Sequence, residues 1–138
     1  MSLTRADLRQ FVESRARQRC EYCRMHQSLQ GASFHVEHIV PLSLGGTDDV
    51  DNLAWACPGC NLKKSNRVTS VDPATDMEVR LFHPRRDRWE EHLMWQGYIL
   101  VGLTPMGRAL IVAFDLNHAR RCSMDPGSPP AQRRGRPG

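Results

Sequence analysis

The stretch FHVEHIVPLSLGG, residues 34–46, has the pattern of a short strand but carries more reactive side chains than a strand needs. Side-chain polarity alternates from Phe34 to His38, which predicts a strand. Pro41 has no backbone donor, so regular pairing should end close to it, and the two glycines that follow predict a turn. Two histidines and a glutamate within five residues indicate a functional site at this strand.

Two cysteine pairs flank this stretch: CEYC contains Cys20 and Cys23, and CPGC contains Cys57 and Cys60. The two-residue spacer allows both thiolates of a pair to face one tetrahedral ion, and zinc is the ion expected there. A redox dithiol would not need a second, matching pair. Because four thiolates leave no open coordination position, the predicted zinc stabilises the fold and does not catalyse.

The 33 residues between the two pairs exceed the roughly 15 to 20 of a simple zinc ribbon. NLAWA, residues 52–56, predicts a second strand, and NLKKSN, residues 61–66, predicts a short helix with Asn61 near its start. The order is therefore strand, loop, strand and helix.

VEHIVPLSLGG followed by DNLAWACPGCNLKKS resembles the core of the HNH nucleases. The resemblance covers roughly residues 20–67, includes the flanking cysteines and implies a ββα-metal fold. It implies that His38 is the general base and that Glu37 and Asn61 bind a catalytic divalent cation. It also implies that Asn52 braces the loop after His38. The last motif position is asparagine, as in the HNN variants, where the family name has histidine.

The residue types suit phosphodiester hydrolysis. The reaction needs a base for water, and histidine as a residue type titrates near neutrality. It also needs a cation, and the oxygen donors of Glu37 and Asn61 suit Mg²⁺ or Mn²⁺. Because neighbouring strand residues point to opposite faces, we expect a twist or bulge at Glu37 and His38 if both are to reach one site.

Each of these residues also has a structural interpretation. His38 is the type of residue found near zinc, Glu37 suits a solvated strand, Asn52 suits a strand start and Asn61 suits a helix cap. His35 is equally consistent with a further metal ligand, a phosphate contact and an exposed strand residue.

The charge pattern favours a nucleic-acid partner. The formal net charge is +4, and 17 of the 19 basic residues are arginine, which a GC-rich genome would also produce. Lys63, Lys64 and Arg67 follow the proposed metal ligand and are expected to contact DNA phosphates, the alternative being a solvated helix face.

The whole chain predicts a small α+β, zinc-stapled protein with an N-terminal helix that starts at a capping box of Thr4 and Asp7. A single domain is predicted over residues 1–126, with the ββα-metal core at about 20–67 and a β-rich extension at about 71–122. RRDRWEEHLMW, residues 85–95, predicts a short helix, and residues 97–115 predict a hairpin with its turn at TPMG. The tail 127–138 is too polar and too rich in proline and glycine to fold, and Cys122 has no partner cysteine nearby in the sequence.

We expect a metal-dependent endonuclease that acts on DNA, most simply double-stranded DNA, and leaves 5′-phosphate ends. The alternative is a non-catalytic zinc-ribbon module that binds nucleic acid on the same scaffold, and a third class is a protein-interaction domain held by zinc. With no membrane span or signal peptide in the sequence, a cytoplasmic location is expected. The oligomeric state stays open, a dimer included.

Overall fold

The computed structural model describes residues 4–118, which divide into two compact units after Asn66. The first unit contains α1 (Arg5–Arg15), β1 (His35–His38), β2 (Leu53–Ala56) and α2 (Pro58–Lys64). The second contains β3 (Thr69–Val71), β4 (Glu78–Arg80), α3 (Trp89–His92), β5 (Leu93–Gln96), β6 (Ile99–Gly102) and α4 (Pro105–Phe114). Helices combined with two-stranded antiparallel sheets confirm the predicted α+β class.

The hairpin of β1 and β2 is the centre of the first unit. The strands pair without interruption from His35 opposite Ala56 to His38 opposite Leu53. All four residues of β2 are buried. The register contains no bulge at Glu37 and His38, so successive side chains leave opposite faces of β1, and the twist that was the other expectation stays a prediction.

The segment around the first cysteine pair lies beside β2. The backbone nitrogen of Glu21 donates to the carbonyl of Trp55 over 2.8 Å, and the nitrogen of Trp55 donates to Glu21 Oε2 over 2.9 Å. These two bonds satisfy backbone groups of β2 that β1 does not reach.

Helix α2 begins at Pro58, three residues before the predicted start. Cys57 is its N-cap, and the Cys57 sulfur accepts from the backbone nitrogen of Cys60 over 3.3 Å. Proline is favoured at the first helical position because the missing N–H has no partner there. Asn61 consequently lies inside the helix, so its interpretation as a helix cap is wrong.

Helix α1 has the predicted capping box, in which Thr4 and Asp7 satisfy each other's backbone nitrogens. Its last residue, Arg15, donates to the carbonyls of Val50 and Leu53 over 2.9 and 2.6 Å. The arginine therefore ties α1 to the start of β2 instead of extending into solvent.

The second unit differs from the prediction at its C-terminal part. The turn of its second hairpin lies at Gly97, with φ of +66°, and TPMG starts α4. Thr104 caps α4 by accepting from Gly107, and a Cβ at Gly107 would overlap the carbonyl oxygen of His92. The β-branched residues of α4 favour a strand, but the Thr104 cap and Pro105 at the first helical position stabilise a helix.

No helix in the described part of the chain has both the length and the hydrophobicity needed to cross a bilayer. Cys122 and the tail 127–138 lie outside the described residues. The single domain over residues 1–126 stays a prediction.

Candidate active site and metal centre

The four predicted cysteines come together in the first unit. The sulfur atoms of Cys20, Cys23, Cys57 and Cys60 all lie within 4.8 Å of one another, and all four residues are buried. A tetrahedral ion with Zn–S bonds of about 2.3 Å separates its sulfurs by about 3.8 Å. The Cys23 and Cys57 sulfurs are 3.9 Å apart, so the cluster fits a zinc ion.

The surroundings of these thiols favour metal binding over free thiolates. Burial raises the pKa of Cys60 well above its usual range, and hydrogen bonds with Cys20 and Cys57 raise the pKa of Cys23. The thiols of Cys23 and Cys60 therefore keep their protons unless a cation replaces them, and metal binding releases those protons.

His38 lies at the end of β1, and its side chain is 32% exposed. Its Nε2 atom lies 2.7 Å from Oδ1 of Asp48, a residue that is itself 77% exposed. With Nε2–H donating to the carboxylate, Nδ1 carries the lone pair and can accept a proton. A hydrogen bond at Nε2 therefore orients the imidazole, and the side chain remains partly exposed to solvent.

Asn52 holds the loop that follows His38. Its Oδ1 atom accepts from the nitrogen of Val40 over 2.9 Å. Its Nδ2 atom donates to the carbonyls of Val40 over 3.0 Å and Thr47 over 2.8 Å. A Cβ at Gly46 would overlap the Val40 carbonyl oxygen and approach Asn52 Nδ2, so only glycine fits there. These contacts are those expected of a bracing residue.

Glu37 lies on the opposite, buried side of β1. The hydroxyl of Tyr22 donates to Oε1 over 2.6 Å, and the ammonium of Lys64 lies 2.6 Å from Oε2. Burial raises the pKa of Glu37, and Lys64, Tyr22 and His38 act in the opposite direction. Burial and the adjacent carboxylate raise the pKa of Tyr22, so its hydroxyl remains a donor.

Asn61 lies three residues before Lys64 on α2, so both side chains leave the same face of the helix. The Lys64 ammonium also donates to the carbonyl oxygen of His38 over 3.1 Å. This face of α2 therefore lies against the end of β1, where Glu37 and His38 are adjacent. The oxygens of Glu37 and Asn61 suit a hard cation, with one carboxylate oxygen already engaged by Lys64.

The remaining residues that were predicted to bind metal or DNA differ in their exposure to solvent. His35 is exposed at the first position of β1, and Lys63 is exposed on α2. Lys64 is only 2% exposed, which is not the solvent-facing position expected for a phosphate contact. Arg67 is the first residue of the second unit, where its guanidinium donates to the carbonyl of Ala113 over 2.9 Å.

Two residues of the site, Asp48 and Tyr22, had no role in the sequence prediction. A third, Lys64, was expected to contact DNA phosphates and instead lies against Glu37. A basic residue one helical turn after Asn61 is the signal that could have indicated Lys64 as a partner of Glu37. Nothing in the sequence pattern distinguishes Asp48 from the acidic residues beside it.

A comparison with known protein families gives one match, which lies in the segment that contains this site. The family model for the HNH endonuclease matches residues 20–67. No curated protein and no solved structure matches the chain. The matched residues contain the hairpin, α2, His38 and the four clustered cysteines. Residues 20–67 therefore match the HNH endonuclease family model, and this match covers less than half of the chain.

Proposed function

We propose that the protein is a metal-dependent endonuclease that hydrolyses phosphodiester bonds of double-stranded DNA with His38 as general base. The observation that carries this proposal is the arrangement of His38. Its imidazole is accessible, Nε2 is bonded to Asp48 over 2.7 Å, and Asn52 braces the loop behind it. A fully buried structural histidine would not have the 32% side-chain exposure of His38.

In the proposed reaction, Nδ1 of His38 takes a proton from a water molecule whose oxygen attacks the phosphorus. The bond from phosphorus to O3′ breaks, O3′ takes a proton from solvent, and the phosphate remains on the 5′ carbon. Asp48 accepts from Nε2–H throughout and stabilises the imidazolium that forms. Asn52 maintains the position of the imidazole through the loop.

Two kinds of metal belong to this proposal. Glu37 and Asn61 would hold Mg²⁺ or Mn²⁺, which when bound offsets the charge developing on the phosphate and the leaving oxygen. The four clustered cysteines would hold zinc, which joins the two cysteine segments and has no role in the chemistry. His35 is exposed on the same strand and is not required by the proposed ligand set.

The proposed DNA contacts involve basic residues with exposed positions. Lys63 lies in the last turn of α2 and would contact a phosphate without reading sequence. Arg67 is proposed as a second phosphate contact. The reduced thiols required for a four-cysteine site suit the cytoplasm, which is the location we propose.

A non-catalytic module that binds nucleic acid on an HNH scaffold is the second candidate. The observation that favours it is the pairing of Glu37 with Lys64 and Tyr22, which is also what a purely structural carboxylate would show. Such a module would bind DNA with the same salt dependence but would not cut it.

The test is cleavage of supercoiled plasmid with Mg²⁺ or Mn²⁺ by the wild type and by His38→Ala. We expect nicking by the wild type and a loss of at least about 100-fold in the variant, the usual contribution of a general base. Zinc content is measured in both proteins as the control for folding. Cleavage that His38→Ala retains would contradict the assignment of the base. DNA binding by both proteins with no cleavage by either would favour the binding module.

The chemical groups at the two ends left by the cut are determined on the same products. Ends that a ligase joins directly carry a 5′ phosphate and a 3′ hydroxyl, as expected. Ends that require a kinase before ligation would contradict the proposed bond cleavage.

A further inference from the structure

Lys64 is an unusual residue to find at the centre of a site proposed to bind a divalent cation. Its side chain is 2% exposed, and its ammonium lies 2.6 Å from Oε2 of Glu37, which is 5% exposed. The same ammonium donates to the carbonyl oxygen of His38 over 3.1 Å. A positive charge of the protein itself therefore occupies the space between the carboxylate and the end of β1.

A cation that binds Glu37 would affect its contacts with Tyr22 and Lys64 differently. The Tyr22 hydroxyl is neutral and engages Oε1 over 2.6 Å, and a carboxylate has enough lone pairs to keep this bond while it binds a metal. The Lys64 ammonium is charged, and two cations on one buried carboxylate repel each other strongly because little water screens them. A divalent ion and the ammonium cannot both occupy Oε2.

We propose that Lys64 is a tethered counter-ion that competes with the divalent cation for Glu37. The inference rests on the proposed function only in taking Glu37 as a cation ligand. In the absence of the divalent ion, Lys64 neutralises the buried carboxylate. When the ion binds, the ammonium leaves Oε2, and Tyr22 keeps its bond to Oε1. The observed affinity for the ion equals the intrinsic affinity multiplied by the fraction of metal-free molecules in which the Lys64 ammonium has left Glu37.

The competing explanation is a permanent ion pair. A buried pair is weak evidence for stability, since apolar residues of similar volume often replace such pairs without loss. A pair that exists only for the fold would keep Lys64 on Glu37 at every cation concentration. The two explanations thus predict opposite effects of removing the ammonium.

The test is calorimetric titration of zinc-loaded protein with Mn²⁺, comparing the wild type, Lys64→Met and Lys63→Met. Lys63 is next to Lys64 on the same helix but exposed, so its substitution makes the same change in charge at a solvent-facing position of α2. We expect Lys64→Met to bind Mn²⁺ roughly 10-fold or more tightly than the wild type, as for a competing state that dominates the equilibrium. We expect Lys63→Met to bind with unchanged affinity.

A further variant assigns the binding to Glu37. The double variant Glu37→Gln, Lys64→Met removes both charges and is expected to lose the tight Mn²⁺ site. Equal affinity in the wild type and Lys64→Met would overturn the proposal. Tight binding that survives in the double variant would also overturn it, because the ion would then lie elsewhere.

A measurement on the wild type does not depend on whether Lys64→Met folds. A crystal of zinc-loaded wild type soaked in Mn²⁺ is examined for anomalous scattering at Glu37. Manganese on Oε2 with the Lys64 ammonium moved away supports the proposal. Manganese at Glu37 with the ammonium still bonded to Oε2, or no manganese at Glu37, overturns it.

The outcomes for this inference and for the proposed nuclease are separable. Cleavage that depends on His38, together with equal Mn²⁺ affinity in the wild type and Lys64→Met, would overturn the inference and leave the nuclease. Tight Mn²⁺ binding by Lys64→Met, with no cleavage by the wild type, would support the inference and count against the nuclease.

Discussion

The imidazole of His38 has two nitrogens, and the protein uses one of them. Asp48 engages Nε2 over 2.7 Å from a loop that Asn52 ties down at both Val40 and Thr47. The orientation of the proposed base thus depends on one carboxylate and on the loop that carries it. Because both partners are partly exposed, the bond itself adds little to stability, and its importance lies in positioning.

Asp48→Asn is expected to lower the turnover number for DNA cleavage by about 10- to 100-fold, part of the usual contribution of a general base. The amide cannot stabilise an imidazolium as the carboxylate does. The KM for DNA should be unchanged or lower, since the substitution removes a negative charge that faces a polyanion. Steady-state cleavage kinetics measure both quantities.

Asp49→Asn is the matched control, because Asp49 is the neighbouring exposed carboxylate and the change in charge is the same. It should leave the turnover number near that of the wild type. An equal loss in both variants, or a loss confined to KM, would contradict the positioning role of Asp48.

At the scale of elements, the two cysteine segments and the hairpin depend on one another. Cys57 caps α2 with the sulfur that also belongs to the thiol cluster, so the metal centre and the start of the helix share an atom. The helix in turn carries Asn61 and Lys64 to the end of β1. A change at the thiol cluster would therefore be expected to reach the proposed active site through α2.

Cys60→Ser is expected to abolish stoichiometric zinc binding, because structural zinc needs all four ligands and its binding energy stabilises the fold. Hydrogen exchange should show lost protection of backbone amides in β1 and β2. Amides of β5 and β6 in the second unit should keep their protection. Zinc content is measured by atomic absorption on the same samples.

Cys122→Ser is the control for thiol content, since Cys122 lies outside the clustered pairs in the sequence. It should retain one zinc per chain. Zinc retained by Cys60→Ser, or lost by Cys122→Ser, would contradict the assignment of the ligands.

The sequence pattern could predict those parts of the fold that depend on local rules. The spacing of the cysteines, the strand at His35–His38 and the capping box of α1 each follow from a few adjacent residues. The bracing role of Asn52 came from family resemblance and stays a prediction, and its side chain bonds to Val40 and Thr47. The partners Asp48, Tyr22 and Lys64 could not be predicted in the same way, because their roles depend on which side chains meet across loops. Helix α4 was missed because its branched residues favour a strand locally, while its cap decides the outcome.

At the scale of the whole molecule, each unit has polar groups that hold its own elements together. The first unit has the thiol cluster and the buried pair of Glu37 and Lys64, whereas the second unit has an ion pair between buried Asp72 and Arg108, whose side chain is 33% exposed. Two bonds of 2.9 Å join this pair, and Asp72 is fully buried in the protein. The hydrogen bonds from Arg108 hold the pKa of Asp72 well below its usual range. Asp72 also accepts from Ala74 and Thr75, which fixes the turn between β3 and β4.

The second unit is expected to lose stability in acid because of this pair. The pKa of Asp72 is depressed in the folded state, so its contribution is complete above the unfolded value of about 3.9 and is lost as the pH falls below it. Arg108→Met should be less stable near neutral pH and should show a weaker decline in acid. Hydrogen exchange of the amides of β3 and β4 between about pH 2 and 6 measures both effects.

Arg88→Met is the control, because the Arg88 side chain is 79% exposed and its ion pair with Glu91, at 3.8 Å, is long. Its acid profile should match that of the wild type. An Arg108→Met variant with the same acid decline as the wild type would contradict the assigned role of Asp72.

The bonding between Glu21 and Trp55 has a consequence for solubility. Strand β2 is completely buried and apolar, and β1 covers only one of its edges. The cysteine segment that contains Glu21 covers groups on the other edge, as a third strand would. An uncovered apolar edge is a template for pairing with another chain. Zinc, by fixing this segment in place, would therefore protect the protein against aggregation through β2 as well as against unfolding.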